Sequence, residues 1–305
     1  MESGITGDIP APSARGATAG AAAADAEHGS GHPAAIRTLI RPTKSGVPIR
    51  LGQLWAYREL FYFLVWRDVK VRYKQSALGV AWAVLQPLFT MIIFSVFFGR
   101  LAGVPSDGIP YPLFAFAGLL PWTFFSSAVT NGGNSLISNT NLITKVYFPR
   151  VLIPAAAIGA GIVDFLIAFV LLIGMMAVYR VPPSVQMLWL PIISAILLLL
   201  AAGVAILLSG LNVKYRDIRH ALPFFIQSLL FASPIIYPVS FVPERWRWLL
   251  ALNPLTGILD AFRASMFGHA IDWRTLGVSA GLTAVLVWLA LRSFRRMERQ
   301  FADVI

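Results

Sequence analysis

The chain has 305 residues, 57% of them hydrophobic, 13% charged and none of them cysteine. That charged fraction is about half the ~25% usual for a soluble domain, which places the chain among membrane proteins, and the missing cysteines exclude disulfides, thiol catalysis and Cys-ligated metal. The net charge of +11 would suggest nucleic acid in a soluble protein, but the basic residues cluster in short stretches beside apolar spans and show no RNP or zinc-finger pattern, so they read as membrane topology.

Residues 1–48 are Ala-, Gly- and Pro-rich without apolar periodicity and are expected to be disordered. No basic segment leads there into an apolar one, so no signal peptide is expected, and the first span is expected to act as the insertion signal. The four histidines, His28, His32, His220 and His269, are scattered, and no metal site is expected. From residue 49 to 77 the texture changes. Trp55, Leu60, Phe61, Phe63, Leu64 and Trp66 alternate with Arg58, Arg67, Lys70, Arg72 and Lys74. Charges interrupt too often for a lipid-spanning helix, and the mixture suits an amphipathic helix in the headgroup region of the cytoplasmic face.

Six spans are predicted, near residues 78–98, 111–129, 151–178, 188–211, 221–237 and 274–294. Gln86-Pro87 kinks the first, and Gln86 should face protein or water, because an unpaired amide in lipid is costly. Pro121-Trp122 lies inside the second. The third carries Asp164 near its centre. An intramembrane carboxylate marks a functional site by default; the other reading is a protonated group, or one hydrogen-bonded to a neighbouring helix. With no second acid at similar depth to form a relay, the second reading is favoured. The fourth span, nearly pure Leu, Ile and Ala, reads as lipid-facing. The fifth holds Gln227, Ser228, Ser233 and Pro234, too polar for lipid on every side.

Between the second and third spans lies NGGNSLISNTNLITKVYFPR, residues 131–150, a polar stretch with the makings of a short helix outside the lipid. Between the fifth and sixth, WRWLLAL (246–252) and LTGILDAFRASMF (255–267) are each shorter than the ~20 residues a span needs. Asn253-Pro254 breaks the helix between them, which suits a re-entrant pair shielded from lipid by other protein. The expected fold is therefore all-α: a polytopic membrane protein with six transmembrane helices, an N-terminal amphipathic helix and a short re-entrant pair before the last span.

One side of this layout holds Arg50, Arg58, Arg67, Lys70, Arg72, Lys74, Lys145, Arg150, Lys214, Arg216, Arg219, Arg292, Arg295, Arg296 and Arg299. The other holds Arg100, Arg180, Arg245, Arg247, Arg263 and Arg274, spread over longer sequence. The asymmetry predicts cytoplasmic N and C termini. There is no G-x-x-x-x-G-K-[ST] loop, no G-x-S-x-G, no H-E-x-x-H and no acid pair at catalytic spacing. The chain is not expected to be an enzyme, and energy for any transport must enter from outside it.

The order YKQSALGVAWAVLQPL (73–88), FAGLLPWTFFSSAV (116–129), NSLISNTNLITKVYFPR (134–150), LNVKYRDI (211–218), SPIIYP (233–238) and LNPLTGILDAFR (252–263) resembles the ABC-2 type permeases that export lipid-linked polysaccharide such as O-antigen, capsule or teichoic acid. The likeness runs from about residue 54 onward and leaves the N-terminal tail outside. It implies a homodimeric channel in the cytoplasmic (inner) membrane of a bacterium. Two copies of a separate ATPase would carry ATP and Mg, with no cofactor in this chain. The substrate would be a glycan on undecaprenyl diphosphate or a related carrier.

Residue by residue, the resemblance makes the N-terminal amphipathic stretch an interface helix and residues 134–146 the coupling helix that docks on the ATPase. Asn139, Thr140, Asn141, Leu142, Ile143 and Lys145 would carry that contact, with Arg216 in a second, smaller one. Arg58, Arg67, Lys70, Arg72 and Lys74 would attract the diphosphate, or simply anchor the helix at the membrane. Trp82, Gln86, Trp122, Phe124, Phe125 and Tyr237 are channel-lining candidates, because sugar rings stack on aromatic faces; ordinary packing is the other explanation. Trp246, Trp248, Asn253 and Pro254 would form an outer gate. Two alternatives stay open: an ABC-2 permease for another amphiphile, lipid or drug, and an ion-coupled lipid flippase using Asp164.

Overall fold

The structure, a computed structural model, describes residues 55–74, 81–146, 148–215 and 217–298. The expected disordered tail and Arg216 lie outside them. The described residues are helical and contain no strand. In chain order the helices are α1 (Arg58–Lys74), α2 (Ala81–Phe94, continued by a π turn Ser95–Leu101), α3 (Tyr111–Ser138), α4 (Thr140–Lys145), α5 (Leu152–Val178), α6 (Leu190–Lys214), α7 (Ile218–Ala232), α8 (Glu244–Ala251), α9 (Pro254–Phe267) and α10 (Trp273–Glu298). Among the described residues five segments are long and apolar enough to cross a membrane: α2 with its π turn, α3, α5, α6 and α10; α7 is apolar but shorter.

The centre of the bundle is α3. Proline within its first turn suits a helix start, and from Leu113 to Trp122 every residue is buried. It packs on α5 and α6, and α6 packs in turn on α10. The lipid-facing reading of the fourth span is thereby corrected: Ile193, Leu197, Leu200 and Ala201 of α6 are buried. Hydropathy alone does not separate the two cases, since lipid tails are as apolar as leucine; small residues at the crossing decide. A Cβ on Gly132 of α3 would lie 2.8 Å from the Ala205 Cβ of α6, so glycine permits the close approach.

That approach also explains why α3 runs to Ser138, two turns beyond the predicted end of the second span. Asn131-Gly132-Gly133 reads as a helix breaker by propensity. Here Gly132 and Gly133 are buried against α6 and α7, and Asn212 of α6 donates to the Gly133 carbonyl (3.1 Å) and to Asn134 Oδ1 (2.9 Å). Tertiary packing outweighs the local preference.

The fifth span, predicted at residues 221–237, is a 15-residue helix, α7, followed by a bend through Ser233–Pro238. Asn212, just before α7, is level with Gly133 of α3. Ile236, just after it, accepts a hydrogen bond from Tyr111 Oη at the opposite end of α3 (2.8 Å). The chain from Asn212 to Ile236 thus travels the length of α3 between Tyr111 and Gly133, about 33 Å of helix rise.

The two short helices expected on either side of Asn253-Pro254 are present as α8 and α9. Asn253 caps α9 by accepting from the Leu255 N–H (3.0 Å) and also donates to Ser233 Oγ (2.9 Å). α8 is exposed, whereas α9 is buried from Leu255 to Ala264 apart from a half-buried Asp260. α10 is capped by Asp272, which accepts from Thr275 Oγ1 (2.5 Å), Arg274 N (3.0 Å) and Thr275 N (3.3 Å). The Thr275 hydroxyl, followed by these backbone donors, holds the Asp272 carboxyl below its ordinary range. A depressed folded-state pKa stabilises above the ordinary carboxylate range, and the contribution is lost as pH falls through the folded value. Asp272→Ala is expected to cost about 0.5–1 kcal/mol at neutral pH, and the difference from the unsubstituted chain should vanish in acid, as read by thermal unfolding in detergent.

Candidate functional site

The polar stretch after the second span resolves into an elbow. α3 ends at Ser138, Asn139 turns the chain, and the short α4 follows. The expected coupling helix at residues 134–146 is therefore shorter and begins later, because residues 134–138 complete α3. Asn139 is held from two sides. Its Nδ2 donates to the Ser135 carbonyl (2.9 Å), and its Oδ1 accepts from Arg67 Nη2 of α1 (2.9 Å). Arg67 Nη2 and Nε also both donate to Asp68 Oδ1 (2.8 and 3.0 Å).

Within α4 the residues divide by face. Ile143 is buried and Leu142 partly so, in a second apolar cluster with Leu136, Phe148, Val151, Leu152, Val213, Phe294 and Met297. Asn141, Thr144 and Lys145 are exposed, and Thr140 is intermediate. The cluster ties α4 to the start of α5 and to the ends of α6 and α10. At the same end, Arg150 Nη1 donates to the Glu298 carbonyl (3.0 Å). Arg150, just before α5, and the basic end of α10 thus meet at the level of the elbow.

α1 does not stand apart from the bundle as a purely surface helix. It packs on α5: Phe61 and Val65 lie against Gly159, and further along Arg72 and Tyr73 both donate to the Asp164 carboxylate. Asp164 is thus hydrogen-bonded to a neighbouring helix, and as one half of an ion pair. Of the five basic residues assigned to diphosphate, Arg67 and Arg72 are committed to Asp68, Asn139 and Asp164. Lys70 and Lys74 are exposed, and Arg58 stacks on Trp55 at 5.7 Å.

The aromatic candidates separate in the same way. Trp122, Phe124 and Phe125 are buried inside the single chain; Trp122 lies 6.0 Å from Phe125, and Phe124 lies 5.4 Å from Phe165. Trp82 and Gln86 on α2 are exposed, and Tyr237 is partly buried. Trp246 and Trp248 project from the exposed α8, while Asn253 and Pro254 start α9.

Sequence reasoning missed the role of Arg263, which it counted as an outer charge. It is buried in α9, 6% exposed. It donates to the Pro234 carbonyl (2.6 Å) and the Ile235 carbonyl (2.5 Å) and stacks 3.9 Å above the Phe114 ring. The neighbouring Gly118 was the available signal: a Cβ there would lie 2.0 Å from Arg263 Nη2.

Long apolar helices packed around a buried central span, with a short polar-faced helix hung from one end, define a multi-pass membrane protein. The chain belongs to the ABC-2 type transporter family, whose model matches residues 59–267. It is 30% identical to the O-antigen export system permease protein RfbA of Myxococcus xanthus, over 83% of this chain and 98% of that protein. A Klebsiella pneumoniae protein of the same description is 29% identical over 84% of this chain and 97% of its own length. The polysialic acid transport protein KpsM of Escherichia coli is 24% identical, over 76% and 91%.

Proposed function

We propose that this chain is the membrane-spanning subunit of an ATP-driven exporter of lipid-linked polysaccharide in the bacterial inner membrane, working as a homodimer with two copies of a separate ATPase. The observation that carries the reading is the elbow. α4 hangs from the end of the most buried helix, is braced on three other elements, and turns Asn141, Thr144 and Lys145 outward. A short helix so anchored transmits a push from a partner into the core of the bundle. The likeness to O-antigen and polysialic acid transport proteins, over most of this chain and nearly all of theirs, supports the substrate class.

Six crossings with both termini cytoplasmic fit the length that α7 and its bend travel, and the meeting of basic segments at the elbow's end. A second copy is supported by α2 and α7, the two apolar helices with least burial in the chain. Both expose polar groups at mid-helix, Gln86 on one and Gln227 and Ser228 on the other. Lipid would leave these unpaired; a water-filled path between two copies would not. Trp82, Gln86 and Tyr237 remain the residues proposed for that path, and Trp246 and Trp248 for its outer rim.

The test is co-purification with a candidate partner ATPase, followed by ATP turnover and export. Asn141→Ala with Lys145→Glu is expected to lower coupled export at least tenfold, or to abolish the complex, while the membrane subunit stays folded. Full complex formation and export in that variant would remove the coupling assignment.

A further inference from the structure

The geometry points to Asp164 as a positioning residue: through Arg72 and Tyr73 it fastens α1 to the middle of α5, so that α1, the elbow and α5 move as one rigid lever when the ATPase pushes on α4. This inference rests on the export reading.

Three attachments make the lever. At the elbow, Arg67 donates to Asn139, the residue that starts α4 (2.9 Å). Earlier on α1 than Arg67, Phe61 and Val65 lie on Gly159; a Cβ at Gly159 would be 3.0 Å from Val65 Cγ2. At the far end Arg72 and Tyr73 both donate to Asp164. Asp164 lies twelve residues into α5, about 18 Å along its axis, and both partners are only partly exposed.

The energetics favour a pair that stays closed. In an apolar surrounding, removing one partner strands the other charge without a counter-ion, which is unfavourable. The carboxylate accepts from two residues of one helix, so parting α1 from α5 would break both contacts together. Gly159 lets the helices approach closely enough for those contacts to form. A mobile α1 would gain nothing from such a pair, whereas a lever needs its far end fixed. A proton carrier would have no use for two donors already turned onto its carboxylate.

The chain contains no cysteine, so a paired-cysteine staple is a clean probe. The 3.0 Å separation at Gly159 and Val65 is close to the distance from a Cβ to the far sulfur of a disulfide, about 3 Å. Export and ATPase binding would be measured in cells carrying the whole transporter, with the disulfide formed and then reduced. With Asp164 present, Val65→Cys with Gly159→Cys is expected to export equally well in both states. A loss of export on oxidation would show that α1 must part from α5 and would overturn the proposal.

Asp164→Asn alone is expected to bind the ATPase but to export at least tenfold less. Adding the oxidised staple should restore at least half of the lost export, and reduction should remove it again. Normal export by Asp164→Asn, or failure of the staple to rescue it, would overturn the positioning role and leave a titrating or ligand-binding carboxylate. Failure of the unsubstituted chain to bind the ATPase would overturn the export reading itself. If Asp164→Asn does not assemble, the staple in the Asp164 background decides the matter.

Discussion

Arg263→Ala is expected to give the largest single loss of stability in this chain, about 3–5 kcal/mol. The guanidinium joins three elements: it rises from α9, holds the Pro234 and Ile235 carbonyls of the bend after α7, and lies flat on Phe114 of α3. Truncation takes donors from two carbonyls, opens a void beside Gly118, and removes the cation in whose field Asp260 lies. Lysine should recover little, because a point charge neither spans both carbonyls nor stacks on the ring. Thermal unfolding in detergent checks this. A midpoint for Arg263→Ala within a few degrees of the unsubstituted chain would show that the bend after α7 is held by other means. Because that bend joins α7 to the top of α3, export should fail together with stability.

Gly257→Val should be nearly as damaging. A Cβ at Gly257 of α9 would lie 2.5 Å from the Thr275 carbonyl oxygen, 2.8 Å from its carbon and 2.5 Å from Ser279 Oγ. Two of those atoms are α10 backbone, so relief requires the helices to part, and the valine methyls deepen the clash. Overpacking of this kind costs about 1–3 kcal/mol when the core can adjust, and the upper end is expected where backbone must move. The controls lie on α10 itself. Gly277 and Gly281 have nothing within 4 Å of a Cβ, and alanine at either should be tolerated. Equal effects at positions 257, 277 and 281 would show that the α9–α10 contact is looser than the geometry requires.

Much of this architecture is legible in the residues. The α5 and α10 segments lie within a few residues of their predicted ranges, because ~20 apolar residues in a row have few other solutions. The break at Asn253-Pro254 is legible for the same reason: asparagine caps and proline starts a helix. The elbow was visible as a polar stretch between spans, but its division was not. Asn-Gly-Gly favours a turn until the close approach of α6 makes glycine the residue that fits. Nor does a one-dimensional pattern separate Trp122, Phe124 and Phe125, which are core, from Trp82, which is exposed; an aromatic residue is equally at home in either place.

By itself, then, the sequence determined the membrane class, the position of most spans, the polar elbow and the absence of a phosphate-binding loop. Those depend on local composition and spacing, which survive without a fold. The tertiary structure alone decided which charges are free and which are paired. Arg72 looked like a headgroup ligand and Asp164 like a lone intramembrane acid, each incomplete. They lie 92 residues apart in the chain, and only the packing of α1 on α5 brings them together. A charge is too costly to leave unpaired in an apolar surrounding, and its partner is set by helix packing, which the local pattern of residues does not encode.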